Sequence, residues 1–115
     1  MNRWDIYWAD VPYEDDPSIS KKRPVIIAKD SSPVYVLTFK VTSKDAREYD
    51  PGDYPLMYWK ESGLWKPSVV RLRRISQISP DKIGDRIGHV QAADVLQMQQ
   101  IMQALKNQKQ AQLND

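Results

Sequence analysis

Short apolar runs separated by clusters of Pro, Gly, Asp and Ser fill most of this chain, and near its C-terminus the apolar residues recur every three or four positions instead. Residues 34–42, VYVLTFKVT, alternate with a period of two, and Tyr35, Leu37, Phe39 and Val41 form the more apolar face of a predicted half-buried strand. Residues 3–11, RWDIYWADV, are rich in β-branched and aromatic side chains and predict a first strand. PVIIAK, residues 24–29, reads as a buried strand, and Asp30–Pro33 as a turn. Tyr54–Lys60 predicts a short strand that turns over Trp59–Gly63, and Ser68–Ile75 a longer one. Ser79-Pro80-Asp81 is a turn, and Ile83–Val90 reads as a last strand interrupted by Gly84 and Gly88. Two polar segments, 12–22 and 43–55, are the long loops.

Val95, Met98, Met102 and Leu105, with Ile101 beside them, then mark one face of a helix from about Ala92 to Lys106. The pattern therefore predicts a mainly β, α+β domain: a small, strongly curved sheet or barrel followed by one amphipathic helix that buries its stripe. The domain is placed at residues 1–106, with a polar, frayed tail at 107–115.

Composition narrows the chemistry. A chain of 115 residues supports a single core. It has no cysteine, which excludes disulfides and Cys-ligated metals and makes a reducing cytoplasm the expected location. His89 is its one histidine, which excludes a His-rich metal site within one chain. No secretory leader pattern and no membrane-length apolar run is present, so a soluble, unprocessed protein is expected.

The net charge is only +2, but its distribution is uneven. Acids cluster at Asp10–Asp16, immediately before the triplet Lys21-Lys22-Arg23, and again at Asp45–Asp53. Between Lys66 and Arg86 stand six cations and two acids. Basic patches on a nearly neutral protein suit a local anionic partner, such as a short RNA segment or an acidic peptide. Solvated charged faces are the plainer reading of the same pattern.

The order of features supplies what charge alone does not. "DIYWADVP" opens the chain; a polar loop leads into "KKRPVIIAK"; a strand ends in "VTS"; "PSVVRLRRI" and "DKIGDRIGHV" precede the terminal helix. From residue 4 to about 105 this resembles the PemK/MazF family of toxins from toxin–antitoxin pairs, with the cation-Arg-Pro junction its most specific part. The resemblance implies an SH3-like curved sheet. It also implies metal-independent cleavage of single-stranded RNA with no cofactor, a homodimer, and an antitoxin peptide that covers the RNA site.

By that resemblance Arg23 matches the family's catalytic arginine and Thr42 its strand-end Thr/Ser, while Arg71 falls where some members carry a functional arginine. A forked guanidinium suits charge on a phosphoryl group better than an ammonium does. Arginine's high pKa favours that electrostatic role over proton donation, and an unassisted Thr42 hydroxyl positions rather than deprotonates. Lys22, Lys40, Ser43 and Lys44 are the expected contacts to the RNA backbone. Trp8, Tyr13, Tyr54, Tyr58, Trp59 and Trp65 are rings on which single-stranded bases could stack; Tyr13 is the expected stacker, with Trp8 and Trp59 assigned to the core.

Two departures from the family pattern matter. Arg73 stands where some members have an acid, which leaves the general base unassigned, and the loop before Arg23, "YEDDPSIS", has no glycine. The alternative is a non-catalytic SH3-like module that binds RNA or an acidic peptide. A third reading is a toxin on the same fold whose target is a protein.

Overall fold

A computed structural model describes residues 1–13, 15–43 and 51–114, the last four by their backbone alone. The strands are β1 (Asp5–Pro12), β2 (Ser20–Lys29), β3 (Val36–Thr42), β4 (Asp53–Pro55), β5 (Val69–Ile78) and β6 (Ile83–His89). A 3-10 turn, Pro80–Lys82, precedes β6, and the helix α1 spans Ala92–Asn114. The six strands form one sheet in the order β4-β5-β3-β2-β1-β6, every neighbouring pair antiparallel. The sheet is open, with β4 and β6 at its edges, rather than a closed barrel.

Its curvature has an identifiable source. Bulges interrupt the β1–β6, β2–β3 and β3–β5 ladders. A bulge bends its strand and increases the local twist. The largest falls between Phe39, opposite Ile75, and Lys40, opposite Arg71. There the Leu72 N–H leaves the ladder and donates to the Gly52 carbonyl at 2.7 Å. The curved sheet buries side chains on both faces. Ile26 and Phe39 belong to the main core, under the helix, and Val25 to a second cluster with Ala9, Val11 and Ile78. That is why the run Val25–Ile27 is apolar throughout, and why central β3 buries Val36, Thr38 and Thr42 as well as Phe39 and Val41.

The predicted helical stripe is the one that packs. Met98 is fully buried, while Val95, Ile101 and Met102 lie against the main core. The helix continues past the expected end at Lys106 to Asn114. No helix among the described residues is long and apolar enough to cross a membrane.

The expected strand over 54–60 is only three residues long, because its backbone donors are taken elsewhere. The Met57 and Tyr58 N–H groups donate to the buried Asp94 carboxylate at 3.0 and 2.9 Å, and the Tyr54 hydroxyl donates to it at 2.5 Å. One helix side chain thereby ties the segment after β4 to the start of α1. The following turn packs onto β6 without room for side chains. A Cβ at Gly88 would lie 1.9 Å from the Ser62 carbonyl oxygen, and Gly63 has a φ of +99°. At the same end of the β1–β6 pair Trp4 holds a left-handed φ of 74°. Its N–H donates to Ile27, its carbonyl accepts from Val90, and its ring stacks on Phe39. Such a backbone conformation costs about 1–3 kcal/mol and persists where the surroundings over-determine it.

A cationic cleft at the end of the central strands

Several of the candidate side chains gather where β3 stops and the β1–β2 hairpin continues. β1 and β2 pair from Ile6–Ile26 out to Pro12–Ser20, so Lys21 and Lys22 stand in the strand, opposite Val11 and Asp10. The loop expected at 12–22 is correspondingly shorter. Arg23-Pro24 lies inside β2 rather than at a loop–strand junction, with Arg23 opposite Ala9 and Pro24 opposite Trp8. Thr42 is the last residue of β3. The register that sets Val25 opposite Lys40, continued by two residues, brings Arg23 opposite Thr42.

A cleft of about 180 Å³ opens there. Lys21, Lys22, Arg23 and Pro24 line it from β2; Val41, Thr42 and Ser43 from the end of β3; Trp65, Lys66 and Ser68 from the segment entering β5; and Trp8 from β1. Among these lining residues are four cations, three hydroxyls and no carboxylate. Clustered cations around hydroxyl donors favour a phosphate-bearing ligand: the charge attracts it and a forked Arg can bind two of its oxygens at once. A second cleft, about 280 Å³, is larger but electrically balanced, lined by Asp10 and Lys82 with Ser18, Ser20 and Ser79. Size alone therefore does not locate the site, and the charge does.

Four of the sequence-predicted residues meet in the cationic cleft: Arg23, Thr42, Lys22 and Ser43. Lys40 and Arg71 do not line it. They face each other across β3 and β5, two positions further along the ladder, or about 7 Å at the rise of a strand. Tyr13 also lies outside the cleft. It stands at the hairpin's tip, where its N–H donates to the Ile19 carbonyl and its ring is exposed. Lys44 lies outside the described residues.

Two aromatic rings, Trp8 and Trp65, also line the cleft. Trp8, expected in the core, is only half-buried, and its ring stacks on Trp65, centroids 5.0 Å apart and planes 25° apart. Trp65 precedes a strand in a charged stretch, where no periodicity marks it; Lys66 beside it is the one local signal. Trp59, by contrast, packs against the main core as expected.

His89 has no part in this cleft. It pairs across the β1–β6 edge, its Nδ1 2.7 Å from the Oδ1 of buried Asp5. Arg86 approaches the same oxygen at 3.4 Å. Burial pushes the Asp5 carboxyl upward, but the hydrogen bonds from His89, the Asn2 N–H and Arg86, with the Arg86 charge, outweigh it and hold the group below the usual carboxylate value. The cluster fastens β1 to β6.

With the geometry in place, comparison with known proteins is decisive for the family. Residues 2–108 match the model of the PemK-like, MazF-like toxins of type II toxin–antitoxin systems. The chain belongs to this family. No curated protein matches it by sequence. Solved structures share its fold at low identity. One is an endoribonuclease in complex with its cognate antitoxin from a mycobacterial species: 18% identity over 88% of this chain and 89% of that one, TM-score 0.68. A second mycobacterial endoribonuclease has 17% identity, coverage of 88% and 86%, and a TM-score of 0.65. The Mycobacterium tuberculosis toxin MazF-mt6 has 19% identity, coverage of 83% and 90%, and a TM-score of 0.61. In this PemK/MazF-like chain, then, the cation-Arg-Pro junction and the strand-end threonine lie at one cleft.

Proposed function

We propose that this chain is a toxin that cleaves single-stranded RNA without a metal ion, in a reducing cytoplasm, as a homodimer held in check by an antitoxin. The observation that carries the reading is the meeting of Arg23 and Thr42 in a cleft whose charged lining, among the described residues, is wholly cationic. Family membership supports it, as do fold neighbours described as endoribonucleases, one of them bound to its antitoxin. An acidic antitoxin segment laid across Lys21, Lys22 and Lys66 would block RNA by occupying the same charges.

The chemistry follows from what the cleft contains. The ribose 2′-hydroxyl gives its proton to solvent as its oxygen attacks the adjacent phosphorus; a 2′-O–P bond forms, the P–O5′ bond breaks, the departing 5′-oxygen takes a proton from solvent, and the products are a 2′,3′-cyclic phosphate and a 5′-hydroxyl. Arg23 stabilises the charge that builds on the phosphoryl oxygens, which is the largest service a preorganised cation supplies. The Thr42 hydroxyl holds the phosphate or the 2′-OH in line, and Lys22, with Ser43, grips the backbone on either side. Arg71 and Lys40, further along the ladder, add to the field and meet the strand beyond the scissile group.

The test is cleavage of a long RNA in excess chelator, with the product ends identified. The reading predicts cyclic phosphate and 5′-hydroxyl ends, and resistance of a substrate carrying 2′-O-methyl at the cut site. Cutting that requires an added divalent ion, or that survives 2′-O-methylation, would overturn it. One observation favours the second reading, a binding module without catalysis: the described lining of the cleft includes no carboxylate or histidine to act as base. Retention of labelled RNA without any cutting would select that reading.

A further inference from the structure

The Trp8–Trp65 pair is built asymmetrically. Trp8 is fixed in β1, opposite Pro24, and is half-buried. Trp65 is 53% exposed although one face of its ring is covered by Trp8. Its other face therefore meets solvent, at the wall of a cleft that also holds Arg23, Lys66 and Thr42. One exposed ring is ordinary on a protein surface; what singles out Trp65 is that its open face borders a cleft lined by cations, where an aromatic face can take a planar ring. The cleft's about 180 Å³ is below the ~300–1,000 Å³ of pockets that enclose a drug-sized molecule, so it suits one planar ring beside one phosphate.

We infer that Trp65, backed by Trp8, is a stacking platform for one unpaired nucleobase next to the phosphate held by Arg23. The ligand's identity as RNA rests on the endoribonuclease reading; the platform itself rests on the ring geometry. Every base offers a π face, so a flat indole binds single strands whatever the base, while duplex RNA hides its faces. The stack on Trp8 fixes the Trp65 ring before the ligand arrives, which lowers the ordering entropy lost on binding. Lys66, the next residue, places a cation where the phosphate of the stacked nucleotide would run. Trp65 is thus a substrate-selecting residue: it admits splayed single strands, and it sets which side of the cut must carry an unpaired base.

The experiment uses the full chain and two probes: a cleavable RNA, and the same strand made 2′-deoxy throughout. Binding of the deoxy strand is read by quenching of tryptophan fluorescence and, independently, by anisotropy of an end label. Trp65→Ala is expected to weaken binding roughly five- to hundredfold and to raise KM more than it lowers kcat, with Trp65→Phe recovering most of the loss. A set of RNAs with one abasic nucleotide stepped past the cut site adds a readout that a merely structural role would not move. In the wild type one abasic position should weaken binding, and in Trp65→Ala that position should have no further effect. If the wild type cuts but Trp65→Ala binds within about twofold of it, the platform is refuted and the ribonuclease reading stands. If the wild type cuts nothing but binds the deoxy strand in a Trp65-dependent way, the platform stands and the ribonuclease reading falls. If no strand binds, both fall.

Discussion

Replacing Asp94 by Ala removes a buried acceptor that serves three donors at once. Asp94 is 1% exposed and is the third residue of α1. Its carboxylate turns away from its own helix to receive the N–H groups of Met57 and Tyr58 and the hydroxyl of Tyr54. A buried donor left unpaired costs about 1–3 kcal/mol. The side chains of Met57 and Tyr58 are exposed, so water reaches part of this segment and the low end of the range applies. Three donors at about 1 kcal/mol each give a loss of roughly 3 kcal/mol, a large part of the ~5–15 kcal/mol that holds a domain folded. For a chain of this length that is on the order of a 10–15 °C fall in Tm. Asp94→Asn, which keeps one oxygen acceptor, should lose about half as much. Burial, followed by the hydrogen bond and charge of Asp94, raises the Tyr54 pKa, so Tyr54 remains a donor throughout the neutral range. Urea unfolding of Asp94→Ala, Tyr54→Phe and the double variant measures the pair directly. The midpoint should move with little change in m, and the coupling should be about 1 kcal/mol or more. A cost for Asp94→Ala below about 1 kcal/mol, or strictly additive single variants, would refute the reasoning.

Other consequences are open to the same kind of test. Asp5 is held below its unfolded value, so its contribution to stability is present above pH ~4 and is lost as pH falls through the folded pKa; Asp5→Asn should flatten that acid limb in a series of melts. Gly88→Ala drives a methyl group into the Ser62 backbone and should destabilise by more than about 2 kcal/mol, whereas Ala at Gly84, where the nearest atoms are 3.6 Å away, should be far milder. Binding of a single-stranded oligonucleotide should weaken with salt, and Lys22→Ala should reduce the slope of log K against log salt by about 0.7; an unchanged slope would place Lys22 off the backbone path.

Much of this was legible in residue order. The period-two strand at 34–42 and the 3.6-residue stripe from Val95 to Leu105 locate the centre of the sheet and the helix that covers it. The cation-Arg-Pro junction and the Thr at the end of "KVT" carried the site through the family resemblance. What was hidden depends on pairing. Ser20–Lys22 do not look like strand, yet they pair with the outer end of β1 because the hairpin runs past β3. Tyr54–Lys60 look like strand, yet the N–H groups of Met57 and Tyr58 are claimed by a helix residue far along the chain. Trp8 reads as core because aromatics in strands usually are; only the partner ring of Trp65, brought in ahead of β5, places it at the cleft.

Cleavage by this cleft would depend most on Arg23. Single-turnover cleavage of a long RNA in excess chelator, compared between the wild type and Arg23→Ala, measures that dependence, with equal melting temperatures as the control for folding. The loss should be about 10²–10³-fold in rate, the scale for removing one preorganised donor from a developing oxyanion, and Arg23→Lys should restore only a small part of it. Equal rates for the wild type and Arg23→Ala would contradict the account.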